Sequence, residues 1–170
     1  MMVPTDGVLM ALAREVAARL IASQRKLATA ESCTGGWIAK LCTDIEGSSD
    51  WFDCGFVCYS NAAKSRDLGI SEKLIETEGA VSDVVVRAMA EGAIERTQAN
   101  VAIAVSGIAG PSGAVPGKPV GTVWFALAYR MEGRLECQGH LIQFDGNRDA
   151  VRRQAVEYAL NLLQSLPQPV

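Results

Sequence analysis

Apolar residues recur at helical spacing across residues 8–23, where Val8, Leu9, Leu12, Val16, Ala17 and Leu20 form one face and Arg14, Glu15 and Arg19 the other. This predicts an amphipathic helix. The short apolar run Leu27-Ala28-Thr29-Ala30 predicts a strand after it, and the helical period returns with Trp37, Ile38, Leu41 and Ile45 inward until Gly47-Ser48-Ser49-Asp50 breaks it. Residues 52–59 show no lasting alternation, so they read as a second strand buried on both faces. Residues 61–68 predict a short helix capped by Ser60 or Asn61, and 71–78 predict another. Ser82-Asp83 caps a longer helix to about Gln98, with Val84, Val85, Met89 and Ile94 inward.

Residues 101–106 form an almost wholly apolar strand that runs directly into Gly107-Ile108-Ala109-Gly110-Pro111-Ser112-Gly113. A Gly/Pro loop in that position holds ligands at the carboxyl edge of an open α/β sheet, although such loops also simply turn the chain. Residues 120–129 and 135–144 are strands joined by Met131-Glu132-Gly133-Arg134, a connection tight enough to require an antiparallel pair. A final amphipathic helix leaves the turn Asp145-Gly146-Asn147-Arg148 and stops at Leu166-Pro167. The alternation of helices and strands predicts an α/β fold: a three-layer αβα sandwich with a mixed, mostly parallel sheet carrying an antiparallel hairpin. No repeat, low-complexity tract or linker interrupts it, so residues 1–170 read as one domain with an ordered core of about 8–166 and frayed ends at 1–7 and 167–170.

Composition narrows the function. Of 170 residues, 49% are hydrophobic and 21% charged, enough apolar material for a buried core. A net charge of −3 argues against a nucleic-acid partner, which requires clustered Lys and Arg to neutralise phosphates. No apolar run approaches the roughly 18–20 residues of a membrane span, and the first residues lack the basic stretch of a signal peptide, so a cytoplasmic location without a membrane partner is expected. Five cysteines (Cys33, Cys42, Cys54, Cys58, Cys137) are scattered through predicted helices and strands, which reads as reduced thiols acting as small apolar side chains. Cys54 and Cys58 with Cys137 and His140 lack zinc-module spacing, so no metal is expected.

The candidate chemistry centres on Ala30-Glu31-Ser32-Cys33-Thr34-Gly35-Gly36, a strand-to-helix turn. Ser32 and Thr34 are expected at a helix N-terminus, where unpaired N–H groups face a ligand and Gly35 and Gly36 let it approach the backbone. The plainer alternative is that Ser32 or Thr34 caps the helix. Tyr59 and Lys64 fall together after the second strand, although taken separately Tyr59 reads as an ordinary strand-end aromatic and Lys64 as a solvated helix lysine. Arg148 and Arg152 share one helix face near its start, where they oppose the dipole and need a carboxylate, a phosphate or solvent.

Four separated pieces, Ala30 to Gly36, Tyr59-Ser60-Asn61 with Lys64, Ser106-Gly107-Ile108-Ala109-Gly110-Pro111, and Lys118-Pro119-Val120-Gly121-Thr122-Val123, together closely resemble the CinA C-terminal domain family. A fifth, Phe144-Asp145-Gly146-Asn147-Arg148 with Arg152, also matches, and the resemblance runs from about Val8 to Leu163. The loop Ser112-Gly113-Ala114-Val115-Pro116-Gly117 departs by being less glycine-rich, with a possible effect on affinity or substrate choice. Active members of the family are nicotinamide-nucleotide amidases. The resemblance therefore implies hydrolysis of the carboxamide of nicotinamide mononucleotide to nicotinic acid mononucleotide and ammonia, in pyridine-nucleotide recycling, with no cofactor and a small-molecule nucleotide as partner.

Amide hydrolysis calls for an activated nucleophile, a proton-transfer group and a stabilised oxyanion. Ser32 is the candidate nucleophile and Lys64 the base, since the sole histidine, His140, falls mid-strand. Tyr59 is expected to orient Lys64 or relay its proton. Thr34, Gly35, Gly36, Ser106, Gly107, Arg148 and Arg152 are expected to bind substrate, with amides near Cys33, Thr34 and Gly35 holding either the oxyanion or the 5′-phosphate. A catalytically silent, nucleotide-binding or regulatory paralogue of the same fold is the competing reading, and a phosphate-recognition module a third. A homo-oligomer of unspecified order is expected.

Overall fold

A computed structural model describes residues 2–167. Its elements in chain order are α1 (Asp6–Ala22), β1 (Leu27–Glu31), α2 (Trp37–Thr43), β2 (Phe52–Val57), α3 (Asn61–Leu68), α4 (Glu72–Glu78), α5 (Asp83–Glu95), β3 (Val101–Gly107), β4 (Thr122–Met131), β5 (Arg134–Gln143) and α6 (Arg148–Gln164). The strands form one sheet in the order β2-β1-β3-β4-β5. β1 pairs in parallel with β2 and β3, whereas β3–β4 and β4–β5 are antiparallel. Only β4 runs against the other four. Glu132 and Gly133, with φ of 53° and 75°, turn β4 into β5, as a two-residue hairpin of the right twist requires.

The three central strands alternate large and small residues. Leu27, Val101, Ile103, Val105, Phe125 and Leu127 face α1, α2 and α6, and Phe125 meets the ring of Tyr158 with centroids 4.7 Å apart. Ala28, Ala30, Ala102, Ala104, Ala126 and Ala128 face α5 together with Leu68 of α3 and Ile75 of α4. An alanine floor lets α5 lie close to the sheet. Gly92 of α5 in turn lets the helix lie against α3, because a Cβ there would strike the Leu68 carbonyl. The result is three layers around two apolar clusters on opposite faces of the sheet.

Four sequence expectations are corrected. β2 is an edge strand with every second residue exposed, not a strand buried on both faces. Val8 and Val84, assigned inward, project into solvent from the first turns of α1 and α5, at 44% and 45% exposure. The chain is ordered earlier than residue 8, since Thr5 caps α1 by accepting from the Val8 N–H. Helix α5 ends at Glu95 and not near Gln98, whose N–H is taken by Asp53. The other predicted frayed positions, Met1 and residues 168–170, lie outside the described residues.

The connection after β1 leads to β2 on one side and the connection after β3 leads to β4 on the other, so the chain diverges at the carboxyl end of this strand pair. The crevice outside that end is where open α/β sheets bind ligands. No described helix is long and apolar enough to cross a membrane.

Candidate active site

Ser32 is the first residue to leave the sheet. Glu31 is still registered to Val57 and Val105 on its two neighbours, and the Ser32 N–H still donates to the Val105 carbonyl at 2.9 Å. Lys64 arrives from α3, one turn after its cap Ser60, whose hydroxyl accepts from the Ala63 N–H. It is 1% exposed, and its Nζ stands 3.1 Å from Ser32 Oγ, 2.9 Å from the Cys58 carbonyl and 3.3 Å from the Tyr59 carbonyl. Among the described residues it has no carboxylate at ion-pair distance.

Burial without a counter-ion pushes the Lys64 pKa down, because the low-dielectric surroundings penalise the ammonium. A neutral amine has two N–H donors and one lone pair. Two main-chain carbonyls suffice for the donors, which leaves the lone pair to accept the Ser32 proton. The arrangement places a hydroxyl and an amine lone pair in hydrogen-bond reach, as a nucleophile and its base require.

Of the two roles expected of Tyr59, the geometry fits the orienting one through its carbonyl, which accepts from Lys64 Nζ, whereas its hydroxyl lies 3.1 Å from Arg148 Nη2 and forms no proton relay to Lys64. Arg148, the first residue of α6, also donates through Nη1 to the Gly110 carbonyl at 2.7 Å. The pair spans the open mouth of the crevice. Ser106 donates to the Ala80 carbonyl at 2.7 Å, tying the segment before α5 to the end of β3. Gly107 is required by close packing, since a Cβ would fall 2.8 Å from the Thr122 carbonyl of β4.

These groups enclose a cavity of about 230 Å³ lined by Ser32, Cys33, Tyr59, Asn61, Lys64, Ser106, Gly107 and Arg148, with Ala80, Val81 and Ala109. Thr34, Gly35, Gly36 and Arg152, expected to bind substrate, are not among its walls. They build the turn behind it. Gly35 and Gly36 supply φ of 64° and 89°, the left-handed conformations that reverse the chain between β1 and α2. Arg152 is half-buried and has no carboxylate at ion-pair distance among the described residues: Nε donates to the Cys33 carbonyl and Nη2 to the Thr34 carbonyl, both at 3.1 Å, and the guanidinium lies over the Trp37 ring.

The expectation that Ser32 and Thr34 stand at the helix N-terminus, and the plainer alternative that one of them caps it, are both overturned. Helix α2 begins at Trp37, its cap position is Gly36, and the N–H groups of Gly36, Ile38 and Ala39 all donate to the Glu31 carboxylate at 2.8–3.1 Å. Glu31 is wholly buried. Burial pushes its carboxyl up, while those amides and the nearby Thr34 and Thr29 hydroxyls pull it back toward the ionised form. With three amides consumed, the start of α2 offers no open anion site. Glu31, which accepts these amides, and Asn61, which lines the cavity, both lie in the sequence motifs, yet sequence reasoning gave Glu31 no role and Asn61 only that of a candidate helix cap. A carboxylate closing the apolar run 27–30 was the available signal, because an acidic side chain there must find buried donors.

Burial also pushes the Cys33 thiol up to about 12, and the thiols of Cys42, Cys54, Cys58 and Cys137 are likewise raised by burial. All five are free. His140 lies on β5 against the edge of Tyr158, away from the cavity walls. Among the described residues no group of three or more His, Cys, Asp or Glu is placed to hold a metal ion. The loop 112–117 is exposed and also lies outside the cavity walls.

Comparison with known proteins matches this geometry to one family. Residues 9–166 fit the model of the CinA C-terminal domain. The nicotinamide-nucleotide amidohydrolase PncC of Escherichia coli (strain K12) is 53% identical over 162 residues, covering 94% of each chain, and PncC of Pseudomonas putida is 52% identical over 83% of this chain and 86% of its own. The crystal structure of the competence/damage inducible protein CihA from Agrobacterium tumefaciens superposes with a TM-score of 0.86 at 40% identity, covering 97% of this chain and 98% of that one. With the family model, the sequence identities and the superposition in agreement over nearly its whole length, the chain belongs to the CinA C-terminal domain family.

Proposed function

We propose that this protein is a nicotinamide-nucleotide amidohydrolase of the Ser/Lys type, converting nicotinamide mononucleotide and water to nicotinic acid mononucleotide and ammonia. The observation that carries the mechanism is the buried Lys64 Nζ, 3.1 Å from Ser32 Oγ and without a carboxylate partner. The substrate comes from the relatives named nicotinamide-nucleotide amidohydrolase.

Neutral Lys64 takes the Ser32 proton as Oγ attacks the carboxamide carbon, and the resulting ammonium returns that proton to the departing nitrogen. Ammonia leaves and a Ser32 ester remains. Water then attacks the ester, Lys64 accepts its proton, and the proton passes back to Ser32 as the carboxylic acid is released. The cavity is smaller than the roughly 300–1,000 Å³ of typical small-molecule sites. It therefore suits the reacting ring, with the ribose and phosphate across the mouth beside Arg148 and Tyr59. Ser106, Gly107 and Asn61 shape the wall around the ring.

The reading carries a cytoplasmic location, where such nucleotides are metabolised. It also carries a homo-oligomer, supported by exposed Val57 and Leu141 on the two edge strands. Ammonia release from nicotinamide mononucleotide by the purified protein tests it. Turnover that ceases in Ser32→Ala supports the reading, whereas tight nucleotide binding without any ammonia would make the chain a silent paralogue.

A further inference from the structure

Every amide in the segment that follows the nucleophile can be accounted for. The Gly35 N–H donates to the Ser32 carbonyl, Trp37 to the Thr34 carbonyl, and Gly36, Ile38 and Ala39 to the Glu31 carboxylate. Between Ser32 and Lys40, Cys33 and Thr34 alone have N–H groups with no acceptor in another residue among the described residues. Native proteins seldom leave buried amides unpaired, and the cost of doing so is borne where a ligand completes the bond. These two belong to the residues immediately after the serine, and Cys33 forms part of the cavity wall.

The carbonyls of the same peptide groups are held from behind. The amide plane is rigid and trans, so an N–H points opposite to the C=O of the residue before it. Arg152 Nε on the Cys33 carbonyl therefore fixes the direction of the Thr34 N–H, and the Gly35 N–H on the Ser32 carbonyl fixes that of Cys33. Arg152 Nη2 adds a second hold on the Thr34 carbonyl, and stacking over Trp37 keeps the guanidinium in plane with its task. Glu31 secures the other end by binding three amides, which removes them as competing donors and anchors the first turn of α2.

We infer that Glu31 and Arg152 are positioning residues that clamp the 32–39 segment from its two ends, so that the peptide groups of Cys33 and Thr34 are held in place and the Cys33 amide, at the cavity wall, is presented to the oxyanion formed when Ser32 attacks. This inference rests on the amidase reading above. It also separates two tasks: the turn serves the reacting oxygen, and Arg148 at the mouth serves the far end of the nucleotide. Preorganised donors of this kind act on the transition state and not on bound substrate, so their disturbance lowers kcat with little change in KM.

The test uses Arg152→Lys and Glu31→Gln in the full chain, with kcat and KM for nicotinamide mononucleotide and thermal unfolding measured side by side. Lysine keeps the charge but cannot span two carbonyls, and glutamine turns one acceptor into a donor that opposes an amide. Loss of a single oxyanion donor costs about 10²–10³ in kcat, and misorientation is expected to cost at least about tenfold while KM stays within about threefold. Ser32→Ala should also lose the tight binding of an aldehyde analogue that forms a tetrahedral adduct, and Arg152→Lys should weaken that analogue about as much as it lowers kcat while binding product normally. A folded Arg152→Lys protein with wild-type kcat overturns the inference, as does a raised KM with kcat unchanged, which would make Arg152 a direct substrate ligand. If Glu31→Gln fails to fold, Arg152→Lys alone decides. A wild-type protein that releases no ammonia removes the amidase reading itself and this inference with it.

Discussion

Lys64 and Glu31 flank the same serine, carry opposite charge and are buried to nearly the same degree, yet the fold treats them in opposite ways. Glu31 is met by three amide N–H groups and tied to the start of α2. Lys64 is met by two carbonyls and a hydroxyl, with no carboxylate at ion-pair distance among the described residues. A buried charge that is well supplied with partners builds structure, whereas one denied a counter-ion is pushed toward its neutral form and becomes reactive. The difference assigns the sides of the turn: chemistry on the α3 side, scaffold on the α2 and α6 side.

The most damaging way to break that contrast is to remove the reactive side. Ser32→Ala and Lys64→Ala should each lower kcat by about 10³–10⁶, and the double variant should be hardly worse than either, because a base has nothing to activate once the nucleophile is gone. Ammonia-release kinetics with circular dichroism as a folding check measure this. Clearly additive losses would mean that the two side chains act in separate steps.

The pH profile sharpens the same contrast. With Lys64 as the proposed base, its neutral form is the active one, so kcat/KM should rise with pH to a plateau, with a midpoint below the ordinary lysine value of 10.5. The sign for stability agrees. Folding lowers this pKa, so between the folded and unfolded values the unfolded chain binds more protons, and Lys64 makes stability increase with pH across that window. A profile that falls through the same range would exclude Lys64 as the base.

The two sides of the turn were not equally legible in the sequence. That Ser32 and Lys64 share one sheet edge was readable because the strand and helix that deliver them follow from hydrophobic period, while their expected roles came from the family resemblance. The scaffold was not. That Glu31 caps α2, that Arg152 binds carbonyls and that Tyr59 points its hydroxyl at Arg148 depend on which groups meet across elements up to 119 residues apart. Two arginines four residues apart look alike in sequence, yet one lines the cavity mouth and the other holds the turn behind it. The edge position of β2 was hidden for a related reason, since exposure of alternate residues is set by which strand lies at the rim of the sheet and not by its own apolar content.

Arg148→Ala should have the next largest effect, raising KM by about tenfold or more with a smaller loss of kcat, because its guanidinium stands at the mouth and not at Ser32. An unchanged KM with greatly reduced kcat would move Arg148 to the reacting centre. Tyr59→Phe should be milder. It removes one neutral acceptor from Arg148 but leaves the Tyr59 carbonyl on Lys64, so a change of less than about tenfold, mostly in KM, is expected. A drop of kcat matching that of Lys64→Ala would restore the phenol as a proton carrier.

The smallest effect is expected at Cys33, which lies in the cavity wall next to Ser32 and carries the more intrinsically nucleophilic atom. Its thiol is held near 12 chiefly by burial, with the Glu31 charge adding to the rise and Arg152 and Lys64 opposing it. At neutral pH only about one molecule in 10⁵ would carry the thiolate, the form that attacks. The same wall thus contains a strong nucleophile kept silent and a weak one supplied with a base. Cys33→Ala should keep kcat within about threefold of wild type, since the amide that serves the oxyanion belongs to the backbone and survives the change. Ser32→Ala should not be rescued by the neighbouring thiol, and mass spectrometry of a trapped ester should place the acyl group on residue 32. A Cys33→Ala protein that folds but no longer turns over would transfer the nucleophile to sulfur and leave the Lys64–Ser32 contact as a structural hydrogen bond.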